Sequence, residues 1–246
     1  GGAFQLGVLA TWAMRTCART AQSIQPHDWT RLFRTLPVAD LPRAGGRDLA
    51  FWIDWVDHPA RDPYWEAFDG ERQWEKIKAP ALVLGGWYDL YAPQTFTNFT
   101  GMRQRGGAPA ARQSLLVVGP WPHALSASTR TGDVDFGPQS LAALDTLEQR
   151  WFDYWLRDMA NGVANEPPVR LFIMGVNEWR DETEWPLART QWQRWHLHSG
   201  GHANTVLGDG LLTPDAPADE PPDQFVYDPE HPVPTRGGTT CCSPDI

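Results

Sequence analysis

Two residues carry most of the chemistry that can be read in this sequence: an aspartate at position 89, in PALVLGGWYDLYAP, and a histidine at position 123, in LLVVGPWPHA. Side by side, a carboxylate and an imidazole make a proton-transfer device. The carboxylate fixes the ring tautomer and stabilises the ring cation, and the ring takes a proton from a hydroxyl that attacks an acyl carbon. Each residue follows a short apolar run closed by glycine, so each sits just beyond the end of a predicted strand. The 34 residues separating Asp89 from His123 are what one strand-helix-strand unit occupies.

The elements that must position them fall into three regions. In residues 1–75, Phe4, Leu6, Val8, Leu9, Trp12 and Met14 recur at helical spacing. HDWTRLFRTLPVADL and RDLAFWIDWV read as further short helices joined by proline-broken connectors such as DHPARDPYW, the composition of a cap more than of a core. In residues 76–161 the period changes. PALVLGG and SLLVVG are continuous apolar runs typical of buried parallel strands, with PQTFTNFTGMRQR a helix between them. Leu141, Leu144, Leu147, Trp151, Trp155 and Met159 then predict one long helix that Gly162 closes. In residues 167–246, VRLFIMG, WQRWHLH and QFVYD are rich in β-branched and aromatic residues and read as antiparallel strands of an incomplete sandwich. The fold class is therefore α/β followed by all-β.

In an open α/β sheet, functional groups collect beyond the carboxyl ends of the strands, where Asp89 and His123 fall. An acid that precedes the histidine matches the Ser, acid, His order of α/β-hydrolases, but no G-x-S-x-G occurs. Ser23, Ser114, Ser126, Ser128, Ser140, Ser199 and Ser243 all lack a strand-to-helix elbow. Gly1 opens inside an apolar pattern and Ile246 follows a turn-rich stretch, so the sequence reads as a piece of a longer chain whose nucleophile lies upstream.

Other clusters invite weaker readings. His196, His198 and His202 imitate a metal site, but no carboxylate or further histidine lies near at ligand spacing, so no metal is expected. NEWRDETEWP reads as a solvated turn between strands, and His58 with Asp62 as proline-turn chemistry. Cys17, Cys241 and Cys242 form neither a disulfide framework nor a metal knuckle, which points to a cytoplasmic chain, although a leader upstream of Gly1 would leave the same trace.

Composition narrows the partners. A formal charge of −9 with scattered Lys and Arg leaves no basic stripe for nucleic acid or an anionic membrane, and no run is long and apolar enough to span a bilayer. The 14 Trp, 22 Gly and 22 Pro favour sheet with elaborate loops. The chemistry calls for a small-molecule ester or amide and for no cofactor; formation of a homo-oligomer is compatible with the sequence. A rival reading is a Trp-rich sandwich that binds carbohydrate or mediates assembly, with no catalysis.

GGAFQLG, DHPARDPYW, PALVLGGWYDLY, GPWPHA, VRLFIMGVNEWRDETEWP and YDPEHPVPTRGG, in this order, resemble the CocE/NonD hydrolases, relatives of X-Pro dipeptidyl-peptidases and α-amino-acid ester hydrolases. The resemblance runs across nearly the whole chain. It implies part of an α/β-hydrolase domain with an inserted helical cap, then part of a jelly-roll domain, with Asp89 as triad acid and His123 as general base. It places the serine, its oxyanion donors and hence activity outside this stretch. It also implies that Trp12, Tyr91 and the Cys241–Cys242 pair border the acyl or leaving-group pocket.

Overall fold

The computed structural model describes residues 4–16, 27–228 and 230–231. The described residues divide into two compact units, with the boundary between Asp181 and Glu182.

The first unit opens with short helices. Helix α1 (Leu6–Thr16) turns Ala10, Ala13 and Met14 inward, the 3/4 spacing that gives a helix one apolar face. Helices α2 (Trp29–Leu32), α3 (Leu41–Ala44) and α4 (Ala50–Asp57) supply Leu32, Leu41 and Trp52 to the same cluster. Trp52 is fully buried and its indole N–H donates to the Val38 carbonyl at 3.0 Å, so the ring is buried without leaving its polar atom unpaired. Helix α5 (Pro63–Glu66) starts at Asp62, whose carboxylate accepts from the Tyr64 and Trp65 amides.

The parallel sheet follows. Strand β1 (Leu82–Gly86) leads into helix α6 (Ala92–Arg105) and then strand β2 (Leu115–Gly119), which is buried along its whole length. β1 and β2 pair in parallel from Leu82↔Leu115 to Gly86↔Gly119. The two strands therefore end level, and the chain segments leaving them start side by side. Beyond β2 come a small antiparallel pair, β3 (Arg130–Thr131) with β4 (Val134–Asp135), and helix α7 (Leu144–Arg157).

Strand β5 (Val169–Ile173) corrects an expectation. The sequence groups it with the antiparallel strands of residues 167–246, yet it pairs in parallel with β2, Leu116↔Val169 to Val118↔Leu171. Val169, Leu171 and Phe172 are buried, so this β-branched and aromatic run is an inner strand of the same sheet as β1 and β2. Strand β6 (Glu178–Glu182) extends the sheet in the order β1-β2-β5-β6. Only four residues connect β5 to β6, too few for a parallel crossover. Thus the NEWRDETEWP segment, expected as a turn, contributes a strand. Its Trp179 packs on Trp121 and Phe172 and donates to the Gln139 carbonyl.

The long helix expected through Met159 stops earlier. Asp158 takes the left-handed conformation, φ 54°, and closes α7, while Gly162 begins a separate 3-10 turn.

In the second unit, strands β7 (His196–His198) and β8 (Leu211–Thr213) pair antiparallel. QFVYD forms no strand. The described residues thus hold a mixed sheet with helices plus additional antiparallel sheet.

Candidate active site

Asp89 lies three residues beyond the end of β1 and His123 four beyond the end of β2, and the level strand ends bring them together. The two loops are stitched as a continuation of the ladder: the Trp87 amide donates to the Gly119 carbonyl at 2.9 Å and the Tyr88 amide to the Trp121 carbonyl at 3.1 Å. This close approach needs glycine at 86. A Cβ there would stand 1.9 Å from the Trp121 carbonyl oxygen. Trp121 is the anchor of the histidine loop; it is buried, and its indole N–H donates to the Ser140 carbonyl at 3.0 Å. Thr131 holds the loop from the other side through its hydroxyl, which donates to the Pro120 carbonyl at 2.8 Å.

Nδ1 of His123 donates to Oδ2 of Asp89 at 2.9 Å. The aspartate is buried, with 4% of its surface exposed, while the His123 side chain is 46% exposed. Asp89 satisfies its other oxygen locally: Oδ1 accepts from the Tyr91 amide at 2.8 Å, at the start of α6. A buried carboxylate needs such partners, because an unpaired one is strongly penalised away from water. With both oxygens engaged, the acid is fixed, and it orients the imidazole with Nε2 as the outward nitrogen. Among the described residues Nε2 has no hydrogen-bond partner.

His123 borders a cavity of about 420 Å³. Helix α1 supplies Val8, Thr11, Trp12 and Arg15 to it, α4 supplies Trp55, and Tyr91 closes the side next to the histidine. Trp12 stacks near Trp55, with centroids 6.3 Å apart, and Tyr91 meets the His123 ring edge-on at 5.4 Å. The structure therefore brings Asp89, His123, Trp12 and Tyr91 to one place. Cys241 and Cys242 lie outside the described residues. Arg15 and Trp55 escaped the sequence reading. The helical spacing of Arg15 from Thr11 and Trp12 was the available signal for it; the position of α4 against α1 is a tertiary fact with no local pattern.

The described serines are occupied elsewhere. Ser114 donates to Ala111, Ser126 to Ala142 and Ser140 to Gly137, while Ser128 and Ser199 accept from nearby amides. None borders the cavity.

His198 takes a carboxylate partner from far along the chain, outside the ligand spacing considered in the sequence. Its Nδ1 meets Oε1 of Glu220 at 2.6 Å and its Nε2 lies 3.0 Å from the Asp215 carbonyl. The Thr213 hydroxyl also lies 3.0 Å from Nε2, and the hydrogen bond to Glu220 raises the His198 pKa. No group of three metal-binding side chains occurs among the described residues. His58 and Asp62 pair at 2.5 Å beneath the stacked Tyr64 ring; that hydrogen bond holds the Asp62 carboxyl below its usual range. They form a helix start and do not border the cavity.

Comparison with known proteins settles the lineage. Residues 1–125 match the X-Pro dipeptidyl-peptidase (S15 family), and residues 161–236 match the X-Pro dipeptidyl-peptidase C-terminal non-catalytic domain. The chain belongs to the S15 family. It is 36% identical over 207 residues to the cocaine esterase of Rhodococcus sp. (strain MB1 Bresler), which bears out the resemblance to CocE/NonD hydrolases. That match covers 82% of this chain and 35% of the esterase. A solved aminopeptidase from the marine sediment archaeon Thaumarchaeota archaeon shares the fold, with a TM-score of 0.66 at 21% identity over 98% of this chain and 39% of that one. The chain spans little more than a third of the length of these relatives. No helix among the described residues is long and apolar enough to cross a membrane.

Proposed function

We propose that this S15 chain is part of a serine hydrolase in which Asp89 and His123 are the acid and base of a Ser-His-Asp triad. The observation that carries the reading is the 2.9 Å Asp89–His123 hydrogen bond at the wall of an aromatic cavity. The serine belongs to a segment upstream of Gly1, which agrees with the local engagement of every described serine. In the full-length protein, His123 Nε2 removes the serine hydroxyl proton as the oxygen attacks an ester or amide carbonyl. It then returns the proton to the leaving alcohol or amine, and the acyl-enzyme is cleared when the same base activates water.

On this reading residues 1–75 cap the cavity, residues 76–161 with β5 belong to the hydrolase sheet, and the second unit begins a jelly-roll domain. Trp12 and Tyr91 are the walls that take the apolar part of a small ester or amide, with an X-Pro dipeptide-like substrate within the class. The Trp-rich assembly module finds no support, because a binding module needs no oriented acid-imidazole pair.

Serine-directed fluorophosphonate tests the reading. It should label the full-length protein stoichiometrically at one serine N-terminal to Gly1 and leave the 246-residue chain unlabelled. Labelling of the 246-residue chain itself, or none of the full-length protein, contradicts it.

A further inference from the structure

Among the described residues, the cavity beside His123 is lined by one permanently charged side chain, Arg15, which the catalytic reading leaves unused. Arg15 sits in the last turn of α1, and Val8, Thr11, Trp12 and Arg15 follow one another at helical spacing along a single face. Its guanidinium lies 5.9 Å from the centroid of the Trp29 ring, a contact that engages a face of the group and leaves its N–H donors for other partners. Among the described residues no carboxylate pairs with it. Among the described residues the other walls carry no acid: Val8, Leu9, Trp12, Trp55 and Tyr91 are apolar or aromatic, and Thr11 and Thr16 give their hydroxyls to the Gly7 and Trp12 carbonyls at 2.8 and 2.7 Å.

A cavity of about 420 Å³ has room for an aryl acyl group, and the nearly stacked Trp12 and Trp55 suit a flat one. A guanidinium fork matches a carboxylate in two parallel hydrogen bonds, more closely than any neutral group. The chain as a whole carries −9, so its long-range field gives an anion no help. Recognition of an anion here rests on direct contact with Arg15.

We infer that the cavity selects acyl groups consisting of a flat apolar body that ends in a carboxylate, with Arg15 pairing that carboxylate and His123 at the reacting end. The inference builds on the assignment of Asp89 and His123 to acyl transfer, and it names the substrate class of that site.

The test compares p-nitrophenyl benzoate with its para-carboxylate analogue in the full-length protein. The ratio of kcat/KM, anionic over neutral ester, should exceed one, fall about tenfold in Arg15→Gln, and fall by less in Arg15→Lys, which keeps the charge and loses the two-pronged hydrogen bond. An equal ratio in parent and Arg15→Gln overturns the inference. Calorimetric binding of p-toluate separates the two layers of the argument, since it needs no turnover. If p-toluate binds the parent about tenfold more tightly than Arg15→Gln while neither ester is hydrolysed, the anion site stands and the hydrolase assignment fails. If both esters are hydrolysed while p-toluate binds parent and variant alike, the assignment stands and the Arg15 inference fails.

Discussion

Gly86→Ala probes the geometry that joins the loops carrying Asp89 and His123. The added Cβ would lie 1.9 Å from the Trp121 carbonyl oxygen, where such contacts are essentially never under 3.0 Å, so the two backbones must separate by about 1.1 Å. That oxygen also accepts from the Tyr88 amide at 3.1 Å, one residue before Asp89. The movement therefore enters the 2.9 Å Asp89–His123 bond almost directly. Forcing a methyl into such a packed site costs about 1–3 kcal/mol. A misplacement of about 1 Å can lower the rate by roughly 10²-fold. In the full-length protein, kcat/KM for an aryl ester should thus fall about a hundredfold, with a lowered Tm but a folded chain. Gly70→Ala is the matched control, since nothing lies within 4 Å of a Cβ there. Wild-type turnover by Gly86→Ala would refute the claim that this close approach aligns the pair.

Three further outcomes follow from the same structure. Asp89→Asn should lower kcat by about 10³–10⁴-fold, because the amide neither fixes the productive tautomer nor stabilises the ring cation; steady-state ester hydrolysis reads the loss. Trp12→Ala should raise KM for a benzoyl ester about tenfold, roughly the effect of losing ~50 Å² of apolar contact at ~25 cal/mol per Å², with a smaller change for an acetyl ester. In the second unit, the His198–Glu220 pair sets a pH window. The raised His198 pKa contributes stability that is complete below the ordinary value of 6.5 and is lost as pH rises through the raised value. The lowered Glu220 pKa contributes stability that is present above 4.5 and is lost as pH falls through the lowered value. Amide exchange at β7, corrected for intrinsic rates, should show protection falling as pH rises past the ordinary histidine value of 6.5 and through the raised one, and Glu220→Gln should flatten that dependence.

Much of the site was legible because the relevant signals are local. PALVLGG and SLLVVG announce buried strands by their continuous apolar content, and the glycines that end them mark where Asp89 and His123 leave the sheet. Their level register is a consequence of parallel pairing across one crossover helix. β5 was misplaced because VRLFIMG has the same composition whether it pairs in parallel inside an α/β sheet or antiparallel at the edge of a sandwich. Only its long-range partner, β2, distinguishes them. The His198–Glu220 contact spans 22 residues and has no spacing signature. Trp55 joined the cavity through the packing of α4 on α1, and Arg15 was hidden because one arginine on an exposed helical turn looks like any solvated charge.

The central claim is that His123 acts as the base of an acyl transfer. Ester hydrolysis by the full-length protein carrying His123→Ala tests it most directly. His123 is half exposed, but its loss leaves Oδ2 of the buried Asp89 without its partner, so the variant should remain folded with a lowered Tm while kcat falls by about 10³-fold or more. Hydrolysis at the parent rate by a folded His123→Ala protein would contradict the account.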